Sequence, residues 1–199
     1  MQIGSVTDWL QTTIFGASAL AAYWGLSAWK QEAVGRRKAE LAEDILARFY
    51  EARDIFPVLR SPFSSPGEGA TRQKNDDETE DLARHLDLLY VPFERYNYHR
   101  EFFAQLQSKR YRFRAYFGEQ ADEPFVKLNK ALNEFLVAAR MRIVTYPPNE
   151  AVADFERKRE YDAKVWQHEE NDALQTLVVQ AVEELEKICK PLLSDSSKN

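Results

Sequence analysis

The chain has 199 residues, of which 30% are charged and only 7 are glycine, a composition typical of helical rather than β-rich proteins. A formal net charge of −5 argues against a general nucleic-acid binder, since such proteins usually carry a basic excess. The single cysteine, Cys189, excludes an internal disulfide framework and a cysteine-based zinc site. Its place in an apolar helical stripe predicts a buried, reduced thiol.

The first predicted element is an uncharged segment, residues 9–29, with the sequence WLQTTIFGASALAAYWGLSAW. As a helix it would extend about 31 Å, close to the hydrocarbon thickness of a bilayer. Tryptophans lie toward both of its ends, which suits the aromatic belts of the membrane–water interfaces. The segment therefore predicts a single-pass transmembrane anchor. The side chains that would hold it in the membrane are Trp9, Phe15, Leu20, Trp24 and Trp29.

Positive charge follows this segment but does not precede it. The positive-inside rule therefore places residues 1–8 outside and residues 30–190 in the cytoplasm, with the anchor in a bacterial inner membrane. Each basic side chain near an anionic leaflet contributes about 1 kcal/mol to membrane attraction. The juxtamembrane basic group consists of Lys30, Arg36, Arg37 and Lys38.

Polar residues dilute the segment and leave three alternatives open. Residues 19–21, Ala-Leu-Ala, are similar to the cleavage site of a secretory signal peptide. A buried core helix of a soluble bundle is also apolar on all sides. An interfacial helix would need a stronger polar face than this segment offers.

Small residues recur every fourth position inside the segment, at Ala17, Ala21 and Gly25. Such spacing lets two transmembrane helices approach closely. It predicts a helix-association face, through which the chain could form a membrane-acting or channel-like oligomer. The alternative is that alanine and glycine are simply common in helices of this kind.

Apolar stripes with helical spacing cover most of the remaining chain. The first runs from residue 42 to residue 56 and is predicted to be continuous with the anchor helix. A flexible loop over 60–78 follows, rich in proline and glycine. The second stripe spans 82–106, with Pro92 expected to kink or split its helix. The third spans 125–143.

A last helix is predicted from Asn149 to Lys190, ended by Pro191 and followed by a disordered tail over 191–199. Its first part, residues 154–172, is densely charged and weakly patterned, which indicates a solvated, projecting or partner-covered stretch. The predicted fold class is all-α: an N-terminal transmembrane helix followed by an antiparallel bundle of about four helices.

Three sequence stretches resemble an uncharacterised family of bacterial proteins. The first, residues 36–69, reads RRKAELAEDILARFYEARDIFPVLRSPFSSPGEG, and a looser likeness continues through YVPFER at 90–95 and KRYRFRAYFGE at 109–119. The resemblance implies a membrane-anchored helical protein of bacteria and carries no activity. Residues 149–199 lie outside it.

The stretch 109–117 interleaves basic and aromatic residues, its basic members being Lys109, Arg110, Arg112 and Arg114. Arginine suits phosphate because its planar fork donates two hydrogen bonds at once. Anionic lipid headgroups and nucleic acid are therefore candidate ligands, and anion or lipid contact is predicted for these four side chains. The alternative is that the aromatic rings pack into the bundle while the basic side chains pair with acidic ones.

No catalytic or cofactor motif stands out. The Glu-x-x-His pairs of a carboxylate-bridged di-metal site are absent, since Leu82, Tyr96 and Val165 precede the three histidines by three positions. Residues 67–69 lack the Lys-Ser/Thr of a phosphate-binding loop. The sequence therefore predicts a non-enzymatic membrane protein with no cofactor, whose cytoplasmic bundle binds a protein partner or another copy of itself. A soluble bundle that binds a ligand or catalyses an unrecognised reaction is the remaining alternative.

Overall fold

The computed structural model describes residues 4–146, 152–168 and 171–196, and these residues form helices without any β-strand. The all-α prediction is confirmed. The described helices are α1 (Gly4–Leu59), α2 (Glu80–Phe117), α3 (Glu123–Val144), α4 (Val152–Val165) and α5 (Ala173–Ser196), with a short 3-10 turn at Glu119–Asp122.

Helix α1 is a single element from residue 4 to residue 59, so the predicted continuity between the N-terminal segment and the following helix is confirmed. Its two parts have opposite surroundings. Residues 41–59 supply buried side chains such as Ile45, Phe49 and Phe56 to the core. Large apolar side chains between residues 15 and 34 are exposed to solvent instead.

The core lies between α1, α3 and α5, with α2 along one side of α1. Phe49 meets Phe125 of α3 edge to face at 5.0 Å between ring centroids. Tyr50 donates a hydrogen bond of 2.5 Å to Glu186 of α5. Burying these large rings and aliphatic side chains provides the main stabilisation of the bundle.

Neighbouring helices run antiparallel. Lys109 of α2 pairs with Asp44, near the start of the buried part of α1, whereas Arg95 reaches the carbonyl oxygen of Val58 at its end. Helix α5 runs in the same direction as α2, from Asp172 beside Arg60 to Glu186 beside Tyr50. The bundle therefore has a lower end, from which residues 4–38 of α1 extend, and an upper end at the loop after α1.

Among the described residues, no helix contains a stretch that is both long enough and apolar enough to cross a membrane. The predicted transmembrane helix over 9–29 is thus not supported by the structure. The physical reason is its polar and aromatic content, because glutamine, threonine, serine, tyrosine and tryptophan all lower the mean hydropathy of the stretch.

The predicted last helix is two helices. One helix ends at Val165 and the next begins at Ala173; before it, Asn171 takes a left-handed backbone conformation (φ 55°) and Asp172 caps the new helix. Asp172 Oδ1 accepts a 2.9 Å hydrogen bond from the backbone nitrogen of Gln175, the usual geometry of an N-cap. Two other boundaries differ from expectation, since α2 is not split at Pro92 and α5 continues past Pro191 to Ser196.

Candidate functional site

The loop between α1 and α2 folds back onto α2 at the upper end of the bundle. We call residues 61–79, together with the α2 surface that they cover, the loop platform. Two consecutive residues of α2, Glu94 and Arg95, hydrogen-bond to its backbone at Ser61, Phe63, Gly69 and Thr71. The stretches RSPF…GEG (residues 60–69) and YVPFER (residues 90–95) therefore meet in one substructure.

Arg95 uses all five of its N–H donors on this loop and on the last turn of α1. Its Nε and one Nη2 hydrogen bind the carboxylate of Glu68 at 2.6 and 3.0 Å. The other three reach the backbone carbonyl oxygens of Ser61 at 2.7 Å, Phe63 at 2.5 Å and Val58 at 3.3 Å. The Arg95 guanidinium, with a further bond from the Ser65 backbone, holds the pKa of Glu68 below its usual range although burial opposes this.

Glu94 binds the next part of the loop through a single oxygen. Its Oε2 accepts hydrogen bonds from the backbone nitrogen of Gly69 at 2.9 Å and from the hydroxyl of Thr71 at 2.6 Å. Gly69 has φ +88°, and a Cβ there would lie 2.0 Å from the carbonyl oxygen of Asp87. Only glycine therefore fits at this position, since α2 and the loop approach too closely for a side chain.

Arg72 closes the far side of the platform. It bridges Glu78 at 2.5 Å and Asp87 at 3.2 Å, and Lys74 adds a second cation 2.8 Å from Asp87. The hydrogen bond from Arg72 is the main cause that lowers the pKa of Glu78 to about 2. Flexibility of residues 60–78 stays a prediction, and these hydrogen bonds oppose it.

Arg60 fastens the base of the platform to the junction between α4 and α5. Its side chain is 0% exposed, and both oxygens of Asp172 accept hydrogen bonds of 2.7 Å from it. The remaining donors reach the carbonyl oxygens of Ala163, Lys164 and Trp166 at 2.9–3.2 Å. Burial raises the pKa of Asp172, but the bonds from Arg60 and from backbone donors outweigh burial and hold it below its usual value.

The outer surface of the platform carries exposed aromatic side chains beside a groove of about 480 Å³. Phe63 on the loop is 84% exposed and Tyr98 on α2 is 85% exposed. Both line the groove, together with Glu68, Glu94 and His99. A second groove of about 470 Å³ lies on the other flank of the loop, beside the half-exposed Leu88.

The predicted anchor residues that the structure describes are exposed, Phe15 at 72%, Trp24 at 67% and Trp29 at 64%. The side chains of Trp9 and Leu20 lie outside the described part of the structure. The same holds for the helix-association face of Ala17, Ala21 and Gly25, whose backbone belongs to α1. Association through that face stays a prediction.

The juxtamembrane basic group lies where α1 leaves the bundle. Arg36 pairs with Glu32 at 3.1 Å, both well exposed, and the ammonium of Lys38 stands 5.9 Å from the ring centroid of Phe117. Lys30 and Arg37 are exposed. The basic group thus adjoins the C-terminal end of α2.

Three of the four basic residues in the stretch 109–117 are paired with acidic side chains. Lys109 binds Asp44 at 2.5 Å, Arg110 binds Asp122 at 2.5 Å, and Arg114 binds Glu119 at 3.1 Å. Phe113 is fully buried and stacks on Phe117, whereas Arg112 is exposed. These contacts match the packing alternative, and contact with an anion or lipid stays a prediction.

Three side chains of types that can take part in catalysis make structural contacts or are buried. His85 stacks on Tyr146 at 4.1 Å, and Asp172 is bound to Arg60. Burial raises the pKa of Cys189 to about 12, so its thiol stays protonated at neutral pH. Within the described residues, no three His, Cys, Asp or Glu side chains come together as a metal site.

No protein-family model matches the chain, and neither the curated proteins nor the solved structures contain a significant match to it.

Proposed function

We propose that this protein is a non-enzymatic, membrane-anchored helical bundle that presents its loop platform to a protein partner. The observation that carries the proposal is the division of α1. One part of this single helix is the centre of the core, and the other exposes Phe15, Trp24 and Trp29 at 64–72%.

An exposed apolar surface of this kind needs a partner, because large apolar side chains in water are unfavourable by about 25 cal/mol per Å². Residues 4–38 of α1 extend about 50 Å at 1.5 Å per residue, and few of their described side chains are even partly covered. A bilayer would cover the uncharged residues 9–29 of this helix, which extend about 31 Å, on all sides. Basic residues stand where the helix would leave it, as an anionic leaflet favours.

The low mean hydropathy of the segment is compatible with an anchor. Tryptophan and tyrosine score as weakly apolar on hydropathy scales, yet both prefer the headgroup region of a bilayer. Residues 11–13, which are Gln-Thr-Thr, lie near one end of the uncharged stretch, where polar side chains cost least. We therefore assign this part of α1 to the membrane.

The platform is the surface that such an anchor would present. From Lys38 to Leu59 the helix rises about 32 Å, so the platform stands well away from the basic group. The hydrogen bond from Arg95 holds the backbone of Phe63, helix α2 carries Tyr98, and both rings stay exposed. Aromatic side chains fixed on a rigid support are frequent anchors of protein–protein interfaces.

Membrane attachment is tested by fractionating gently lysed cells without detergent. We expect the wild-type protein in the membrane fraction and resistant to alkaline carbonate. Leu20→Arg places a charge near the middle of the segment, which costs about 2.5–3.5 kcal/mol in a transmembrane helix, so it should release the protein. Gln31→Arg, an exposed position on the same helix outside the segment, should leave it bound. Wild-type protein in the soluble fraction would refute membrane anchoring.

Partner binding is tested with a photo-crosslinking amino acid at Phe63 in living cells. The control carries it at Tyr111, which is 72% exposed at the other end of α2. We expect a discrete crosslinked species from position 63 and none from position 111. Equal labelling at the two positions, or none at either, would contradict the assignment of the platform as the docking surface.

A further inference from the structure

The groove between Phe63 and Tyr98 contains one carboxylate without a matching positive charge. Glu68 and Arg95 both line the groove, but they neutralise each other through two hydrogen bonds. Glu94 has no such partner, since no cation of the described chain pairs with it. The groove therefore holds a net negative charge at Glu94.

The orientation of Glu94 leaves one of its oxygens available. Its Oε2 accepts the hydrogen bonds from Gly69 and Thr71, all of which come from neutral donors. Its Oε1 accepts no hydrogen bond from any described residue. The loop therefore fixes the direction of the carboxylate without neutralising its charge.

The exposed rings add a second feature of the same groove. Phe63 and Tyr98 are 84% and 85% exposed, and both line it. Aromatic faces attract cations, and they attract a planar guanidinium more often than an ammonium. Arg95 does not satisfy them, because its five donors are directed onto the loop and the carbonyl oxygen of Val58, and only 11% of its side chain is exposed.

We infer that this groove binds an arginine side chain of the protein partner. The guanidinium would stack against Phe63 or Tyr98 and donate a hydrogen bond to Glu94 Oε1. An arginine fits better than a lysine because its planar group can stack and donate at the same time. This inference rests on the proposed function, for which it names the chemistry of the partner.

The test uses the full-length, isotope-labelled protein in detergent micelles. It is titrated with the capped tripeptide acetyl-Gly-Arg-Gly-amide, and the control peptide carries citrulline, which has nearly the same shape without the charge. The amide resonances of Tyr98 and His99 are followed by NMR. We expect saturable shifts with the arginine peptide and binding at least about fivefold weaker with citrulline, since a charge-assisted hydrogen bond is lost.

Two variants locate the site. Glu94→Gln keeps an oxygen that can accept hydrogen bonds from Gly69 and Thr71 but removes the charge. It should therefore weaken binding of the arginine peptide about fivefold. Tyr98→Ala should weaken it about two- to fivefold through loss of the cation–π contact. Tyr111→Ala, on the same helix away from the groove, should leave binding unchanged.

The arginine site is refuted if the peptide causes no saturable shift up to about 10 mM, if citrulline binds equally well, or if Glu94→Gln has no effect. Crosslinking at position 63 separates this failure from failure of the proposed function. Crosslinks at position 63 together with no binding of the arginine peptide would support the proposed partner but exclude the arginine site. Binding of the peptide without crosslinks at position 63 would support the arginine site but contradict the proposed binding of a protein partner.

Discussion

The loop platform and the stretch 109–117 both combine arginines with aromatic residues, but they arrange them in opposite ways. In the platform and at its base, Arg95 and Arg60 point inward onto carbonyl and carboxylate oxygens while Phe63 and Tyr98 face solvent. In the stretch 109–117, Phe113 is buried and the arginines remain at the surface. Arginine and aromatic content therefore does not identify a binding surface; the partners of each arginine do.

The largest effect is expected where an arginine is buried. Arg60→Met would leave Asp172 buried without its counter-charge and should lower the free energy of unfolding by about 3–5 kcal/mol. Chemical denaturation of the full-length protein in detergent, followed by circular dichroism, measures this loss. The matched change Arg110→Met, at a partly exposed pair with Asp122, should cost at most about 1 kcal/mol. Equal losses of unfolding free energy in the two variants would contradict the proposed difference between the inward-pointing arginines and those of the stretch 109–117.

The next effect concerns the two left-handed glycines of the loop. Gly69→Ala should destabilise by about 2–4 kcal/mol, because the added Cβ meets the carbonyl oxygen of Asp87 in addition to the backbone strain. Gly67 has nearly the same φ, +85°, but open space around its Cβ position. Gly67→Ala should therefore cost only about 1–2 kcal/mol in the same denaturation experiment. A reversed order would show that the loop does not lie on α2 as described.

Acid should loosen the platform before the core. Folding lowers the pKa of Glu78 from 4.5 to about 2, and it also lowers the pKa of Glu68. Their stabilisation is therefore fully present above about pH 4.5 and disappears as pH falls toward 2. Amide hydrogen exchange of residues 64–78 should accelerate over that range more than exchange in α3. Glu78→Gln should exchange faster already at pH 7 and depend less on acid.

The smallest effect is expected for the exposed arginines of the stretch 109–117. Arg114→Ala removes an exposed pair with Glu119 and should change stability by less than about 0.5 kcal/mol. Arg112→Ala, at a position with no ion pair among the described residues, should change it even less. Thermal unfolding of both variants measures this. A loss above 1 kcal/mol in either would show that these arginines have structural roles like those of the platform.

The fold was largely predictable because helical periodicity records burial directly. The stripe at residues 42–56 became the core part of α1, and the stripe at 125–143 became α3. The break before α5 was missed because its causes are a cap at Asp172 and a distant residue, Arg60. Spacing along the chain carries no information about a contact between positions that are 112 residues apart.

The platform was only partly visible in the sequence. Proline and glycine marked the loop, and RSPF…GEG marked its unusual character, but nothing indicated that Glu94 and Arg95 would bind it. Both belong to a helix that also contains many charged residues at its surface. In the sequence, a charged residue that binds the loop cannot be distinguished from one that is exposed to solvent. The many basic residues of the stretch 109–117 instead favoured that stretch as a binding surface.

Because α1 is one continuous helix, it fixes both the distance of the platform along the helix axis and its rotation around that axis. Each residue inserted between positions 30 and 40 would raise the bundle about 1.5 Å and turn it about 100° around the helix axis. An insertion of seven residues would lift it about 10 Å and nearly restore its heading, whereas two residues would turn it to face almost the opposite way. The length of the helix in this stretch thus sets both the distance and the orientation at which the platform meets its partner.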